Sequence, residues 1–353
     1  MSVVFISVKG VKESETPYNV TMFSKKLDFV AIGDITTDAF IKLKEAHVTC
    51  NINHEACEIC MKFGDKLPYE SVTVVRAVGN APNAAVSAAR LGLSSGLIAD
   101  IGSDQNGKEC LGSLKKDGVS AQYVTAHKGM ETNYHYVLWY SDERTILVKH
   151  QEYPYALPRI HPNPKWVYIT SLGGNSYEYH LSLIEWLKGN PDVKVAFQPG
   201  TFQMSLGLQK LGELYKRTDV FFCNKEEAQR ILGSAEEDVK KLMQSIRETG
   251  PKTVVITDGP NGAYAYDGTV AYFMPPYPDP KPPFERTGAG DSFASTLTVA
   301  LALGKTLEEA LLWAPVNSAS VVQDIGAQKG LLTRPQLEEW LAKAPADYRP
   351  KKI

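Results

Sequence analysis

The stretch Glu285-Arg-Thr-Gly-Ala-Gly-Asp-Ser-Phe-Ala-Ser295 decides how the rest of this 353-residue chain is read. Two glycines around an alanine, then Asp291, Ser292 and a long apolar run, place a tight turn at a helix N-terminus. Glycines let the backbone approach a ligand closely, and the free N–H groups and dipole of a helix start attract an anion. A carboxylate in that first turn would repel a phosphate as a binder. It suits a base that takes a proton from a hydroxyl attacking phosphorus. The architectural alternative has Asp291 as an N-terminal cap and the glycines as a packing turn.

Upstream of this turn, apolar strands alternate with helical segments. Trp166–Thr170, Lys194–Gln198, Asp219–Cys223 and Thr253–Thr257 read as strands; Tyr177–Lys188, Glu226–Leu232 and Ala235–Glu248 read as helices. That alternation predicts βαβ units, a mostly parallel central sheet and helices on both faces, an α/β three-layer sandwich. Near the start, Leu27–Asp34 is an apolar run ending in Gly-Asp, a buried strand. Asp38–Lys44 and Ser71–Val78 read as further strands, Asn80–Gly92 and Gly107–Asp117 as helices, and Gly96–Gly102 as a strand. Ala121–His150, rich in Tyr, Val, Thr and Ile, predicts a β-ribbon with a turn at Ser141–Arg144. The expected organisation is a loosely ordered extension over 1–26 and one large unit over 27–353. That unit carries a small β-sheet lid from about 38–78 and 119–150, with an insertion over 45–70. Two helices, Asp291–Leu303 and Leu307–Val322, follow the glycine turn, and the proline cluster Pro275–Pro283 precedes it as a rigid connector.

Bulk composition narrows the function classes. The chain is 43% hydrophobic and 22% charged, with a formal net charge of -2, so no field favours nucleic acid or an anionic membrane. No apolar run approaches the roughly 20 residues needed to span a bilayer. The first residues have no basic n-region or small-residue cleavage site, which predicts no secretory signal. Five cysteines do not make a disulfide framework, and a reducing, cytoplasmic setting is expected. No Gly-x-Gly-x-x-Gly follows the first strand, which argues against a dinucleotide oxidoreductase.

Gly288-Ala-Gly-Asp291 followed by Ser-Phe resembles the signature of the ribokinase-like (PfkB) family of sugar and nucleoside kinases. Other segments resemble that family in order, from about residue 28 to 345. They are Gly33-Asp-Ile-Thr-Thr-Asp38, Gly79-Asn-Ala-Pro-Asn83, Asn224-Lys-Glu-Glu227, Thr257-Asp-Gly-Pro-Asn-Gly262, and Asn317 with Gly326-Ala327. The resemblance implies an ATP-dependent kinase with Asp291 as general base. The backbone N–H groups of Gly288, Ala289, Gly290 and Asp291 would then form an anion hole, each such donor contributing about 3–4 kcal/mol to the transition state. Asp34, Asp38, Gly79, Asn80 and Asn83 would hold the acceptor, and carboxylates and amides suit a neutral polyol. Asp38 reads equally as a solvated strand end. Asn224, Thr257, Gly259, Gly262 and Asn317 would border the nucleotide. Asn224 and Glu227 would act on Mg²⁺ through its waters; the same two residues also read as a helix-capping box.

Three positions depart from the family pattern. Arg286 stands where a small residue is common; it would either touch phosphate or point to solvent, and solvent is expected because long basic side chains in loops usually face it. Glu285 stands where an Asp is usual, which puts a K⁺ site of Glu285, Thr287 and Gly326 in question. Asn80 stands where a second Gly is usual. The resemblance implies a sugar or a nucleoside as small-molecule partner, and frequent dimers. Exposed strand edges in a lid favour the same lid-mediated homodimer. A non-catalytic scaffold with the same fold is disfavoured because Asp291 and the anion-hole positions are all present.

One cluster stands apart. His47 to Cys60 holds three of the five cysteines and two of the seven histidines. Cys57-x-x-Cys60 has the spacing of a zinc knuckle, and Cys50 with His54 or His47 would complete four ligands around structural Zn²⁺ if the segment turns. The alternative is a short lid helix with free thiols. Either way the cluster falls in the lid insertion and not at the chemistry.

Overall fold

A computed structural model describes residues 25–50, 57–140 and 143–353. The extension expected over 1–26 therefore lies almost wholly outside the described residues. Ten strands form one sheet. In spatial order they are Lys351–Lys352, Ala271–Met274, Ala263–Tyr266, Thr253–Thr257, Val220–Asn224, Lys194–Phe197, Trp166–Ile169, Phe29–Ile32, Ser95–Gly102 and Ser120–His127. From Ser120–His127 through Thr253–Thr257 every neighbouring pair is parallel; the three remaining strands add on antiparallel. The central strands are apolar end to end because helices cover both of their faces, as Phe29–Ile32 and Trp166–Ile169 illustrate with every residue buried.

The order of strands locates the crevice. From Phe29–Ile32 the chain builds outward through Ser95–Gly102 and Ser120–His127. It then returns to Trp166–Ile169 and builds the other way. Crossovers on opposite sides of such a reversal leave a gap beyond the strands' C-terminal ends. Asp34, Ser171, Gln198, Asn224 and Thr257 all sit at or just past those ends.

One helical layer is built for close approach. In the helix Asn80–Arg90, Ala81, Ala84, Ala85 and Ala88 are fully buried, in one apolar cluster with Phe293, Leu297 and Trp313. Small residues let this helix lie tight against the sheet: a Cβ on Gly33 would come 2.9 Å from Ala81 Cβ. The helix Ala289–Ala302 is buried along nearly its whole length, and each fully buried large side chain such as Leu297 contributes about 1.5–3 kcal/mol. The opposite face is filled by Leu183, Leu187, Leu214 and Ile246.

A second sheet of four strands stands as the lid, in the order Tyr69–Val78, Thr36–Leu43, Asn133–Tyr140, Glu143–Leu147. It draws its strands from two separated stretches of the chain, 36–78 and 133–147. Ser120–His127, expected in the lid ribbon, pairs in parallel with Ser95–Gly102 at the edge of the large sheet. The insertion holds a hairpin of His47–Thr49 with Glu58–Cys60, where a helix was one alternative.

Candidate active site

The helix Ala289–Ala302 opens at Gly288, whose φ of 80° lies in the left-handed region. A Cβ there would overlap Ala327 Cβ and sit 2.6 Å from Ala327 Cα, so this position needs glycine both for its dihedral and for its neighbour. A helix's first turn lacks intrahelical partners for its N–H groups. Gly290 is open on its side-chain face, the nearest atom to a built Cβ being Gln198 Nε2 at 3.9 Å. The turn is thus bare backbone facing a hollow.

Asp291 is 9% exposed and is held by three amides. Asn80 Nδ2 donates to Oδ1 at 2.9 Å, Gln198 Nε2 donates to Oδ1 at 3.3 Å, and Asn83 Nδ2 donates to Oδ2 at 2.8 Å. Burial pushes its pKa up, and the three donors pull it back. An ionised carboxylate has about four acceptor positions, so three amides leave room for a substrate hydroxyl. Asn83 is itself fixed, since Gln328 Nε2 donates to its Oδ1 at 3.0 Å and to Ala77 O at 2.7 Å. Asn80 and Asn83, expected on the acceptor, are thus engaged with the candidate base.

Asp34 and Asp38, expected at the acceptor, lie between the large sheet and the lid. Tyr155 OH donates to Asp34 Oδ1 at 2.8 Å, while Asp34 Oδ2 is buried without a hydrogen-bond partner, 3.8 Å from His150 Nδ1. Burial pushes Asp34 up to about 7, helped by the charge of Asp100 and opposed by Tyr155. Asp38 and His135 face each other across two lid strands. Their Oδ1 and Nδ1 lie 3.3 Å apart, and Asp38 Oδ1 and His135 Nε2 are buried without hydrogen bonds. The ring of His150 meets His135 at 5.2 Å and Phe202 at 6.0 Å. Unpartnered buried acceptors cost folding energy unless something fills them. Gly79 closes this side: at φ 114°, a Cβ would lie 2.9 Å from Asp34 O.

On the other side of the turn is a cavity of about 330 Å³ whose lining includes Thr257, Gly259, Gly262, Tyr277, Ala289 and Gly290. Its walls are mostly apolar, with the prolines 275, 276 and 283 along one side. Arg286, exposed, stands among the lining residues. Asn317, expected beside the base, lies in the core instead. It is fully buried, donating to Thr296 Oγ1 at 2.8 Å and accepting from Leu332 N at 2.9 Å. Its neighbour Ser318 is the one that lines the cavity.

A smaller hollow of about 130 Å³ touches Gln198, Asn224, Glu227, Thr257 and Gly290. Asn224 and Glu227 form the capping box that was one of their two readings. Glu227 N donates to Asn224 Oδ1 at 2.7 Å and Asn224 N donates to Glu227 Oε2 at 2.8 Å. Burial raises the Glu227 pKa, and the charge of Asp291 adds to it. With Asn224 Oδ1 committed to the cap, these oxygen donors fit a hydrated Mg²⁺ held through its waters better than a bare ion.

Glu285, Thr287 and Gly326 do converge. Thr287 donates to Glu285 Oε1 from its N at 2.7 Å and from its hydroxyl, and Gly326 N donates to Oε2 at 3.2 Å. The positive charge against Glu285 is a side chain of the protein, Arg144 Nη1 at 2.7 Å. The zinc set does not form. Cys50 and Cys57 are joined in a disulfide, which leaves neither as a thiolate, and free Cys60 donates its S–H to Thr49 Oγ1. That disulfide also overturns the expectation of free thiols here. His54 lies outside the described residues.

Sequence reading missed Gln198, Tyr155, His135, His150 and Arg144. Only Gln198 had a usable signal, a polar residue before Pro-Gly at the C-terminal end of a parallel strand. Among the described residues, no helix is long and apolar enough to cross a membrane.

Residues 44–334 match the model of the pfkB family carbohydrate kinases. The cytidine kinase of Thermococcus kodakarensis is 31% identical over 241 residues, 65% of this chain and 82% of that protein. The ribokinase of Bacillus subtilis is 28% identical over 269 residues, 75% of this chain and 87% of its own. Among solved structures, Arabidopsis thaliana ribokinase complexed with ribose and ATP superposes with a TM-score of 0.75 at 21% identity, covering 90% of this chain and 99% of that one.

Proposed function

Because the chain belongs to the pfkB family of carbohydrate kinases, we propose that it transfers the γ-phosphoryl group of ATP to a hydroxyl of a small neutral sugar. The observation that carries this reading is Asp291, a buried carboxylate in the first turn of a helix whose bare Gly290 lines both hollows. The acceptor hydroxyl would give its proton to Asp291 as it attacks phosphorus, while the N–H groups of the turn receive the charge on the transferring group. Asp34 and Asp38 would accept from the other hydroxyls. Two carboxylates there disfavour a phosphorylated or carboxylated acceptor, since like charges repel. Asn224 and Glu227 would hold Mg²⁺ through its waters, and that ion, when bound, neutralises phosphate charge.

A second reading has its own support. A nucleoside acceptor fits the 31% identity to a cytidine kinase and the aromatic edges of Phe202 and His150 beside Asp34. A coupled assay over ribose, fructose, 2-keto-3-deoxygluconate, cytidine, adenosine and inosine separates the two. Turnover of a free sugar at the highest kcat/KM is the expected result, and turnover of nucleosides alone would replace it with the second reading.

The same proposal includes a cytoplasmic homodimer joined through the lid, supported by exposed Tyr69, Val72, Tyr136 and Leu147 on one face of the lid sheet. Light scattering should give twice the chain mass; a monomer at micromolar concentration would contradict it.

A further inference from the structure

We infer that Arg144 is a positioning residue for phosphoryl transfer, a lid arginine whose closure on Glu285 sets the anion turn. The inference rests on the kinase reading above. Three segments meet at the Glu285 carboxylate, which is 8% exposed. Thr287, one residue before the turn, donates to it twice; Gly326 donates from the loop whose next residue, Ala327, packs on Gly288; and Arg144 reaches it from the lid. The first two contacts are local to the body. Arg144 alone comes from another sheet.

The approach is made by a cross-strand pair and not by one long side chain. Trp139 and Arg144 are register partners on the two lid strands that form its outer hairpin. Trp139 meets Phe284 edge-on at 5.2 Å and Arg144 meets Glu285, so two paired lid residues dock on two consecutive residues of the loop. That loop is tied to the helix Leu307–Val321, since Phe284 N and Glu285 N both donate to Val322 O. Gly326 faces the lid too, with Val75 Cγ2 and Phe40 Cε2 nearest to where its Cβ would be.

Electrostatics gives this contact a functional sign. A buried carboxylate next to an anion turn repels phosphate, and in a poorly solvated site that repulsion is weakly screened. Arg144 cancels it only when the lid is shut. A guanidinium also fixes direction as well as charge. The lid contact and the readiness of the turn for the transferring phosphate are then one event.

The test compares variants with the wild-type protein on its best acceptor. Arg144→Ala should lower kcat about tenfold to a hundredfold, the range set by losing a charge-assisted hydrogen bond, with the KM for nucleotide changed far less. Guanidinium ion added at millimolar concentration should restore part of that loss, and Arg144→Lys should fall between. In a double-mutant cycle, Arg144→Ala should cost little more once Glu285 is Gln. Trp139 supplies an independent reading. Its fluorescence, identified by subtraction with Trp139→Phe, should change when acceptor and nucleotide bind, and should not change in Arg144→Ala. Wild-type kcat in Arg144→Ala, or multiplying losses in the cycle, would overturn the inference. Should Arg144→Ala fail to fold, Arg144→Gln and Arg144→Lys carry the same comparisons. If the wild-type protein phosphorylates none of the acceptors, the kinase reading fails. The Arg144–Glu285 cycle read by Tm in place of kcat then decides the contact by itself, and losses that simply add would overturn it.

Discussion

Asp291→Asn is expected to lower kcat by about a hundredfold to ten-thousandfold while leaving nucleotide binding intact. The substitution keeps volume and removes only the charge and the basicity. The N–H groups that face the anion stay where they are, because Gly288, and not Asp291, sets the turn. Removing a negative charge beside a phosphate should tighten ADP slightly, as calorimetry would show. The pH dependence has a definite sign. The base works ionised, and its ionised fraction falls as pH drops through its pKa in the folded protein. Burial raises that pKa above 3.8, so the wild-type rate should fall on the acid side with a midpoint above the ordinary Asp value. The residual rate of Asp291→Asn should lack that limb. A variant that kept more than about a tenth of wild-type kcat would remove Asp291 from the role of base.

The turn itself and most of the strands were legible because each is a local statement. A glycine pair before an apolar run means a helix start, and an unbroken apolar run bounded by Gly-Asp means a covered parallel strand. What misled was pairing. Ser120–His127 has the same Tyr, Val and Thr content as a lid strand, and only its partner decides which sheet owns it. Likewise the sequence pointed to Asn80 and Asn83 at the acceptor but did not show their contact with Asp291. Their amides meet a carboxylate more than 200 positions away in the chain, through the packing of two helices that no period reveals. Asn317 shows the converse. The resemblance puts this amide at the nucleotide, yet a buried amide goes where both its donor and its acceptor find partners, here Thr296 and Leu332 N. Arg144 and His135 lie on strands that alternate faces, so which residues look inward depends on a one-residue register between neighbouring strands.

Gly288→Ala should be as damaging to kcat as removing an anion-hole donor outright, about a hundredfold to a thousandfold, and should lower Tm as well. Two costs coincide at this position. An alanine held at φ 80° costs about 1–2 kcal/mol relative to glycine. Its Cβ would also overlap Ala327, backbone as well as side chain, so no rotamer change relieves the contact. Either the 326–327 loop retreats, dragging Gly326 off Glu285, or the turn opens and its N–H groups swing away from the transferring phosphoryl group. Gly290→Ala separates conformation from space. Gly290 lies inside the helix with ordinary dihedrals, and its Cβ would enter the hollow with nothing nearer than 3.9 Å. Tm should hold, since alanine favours helix over glycine by about 1 kcal/mol. The rate should nevertheless fall, because the new methyl occupies room in the hollows that Gly290 lines beside Asp291. Thermal scanning and steady-state kinetics on the two variants therefore answer different questions. If Gly288→Ala lowered Tm but kept the wild-type kcat, the glycine turn would be packing alone, and the anion hole would have to be sought elsewhere.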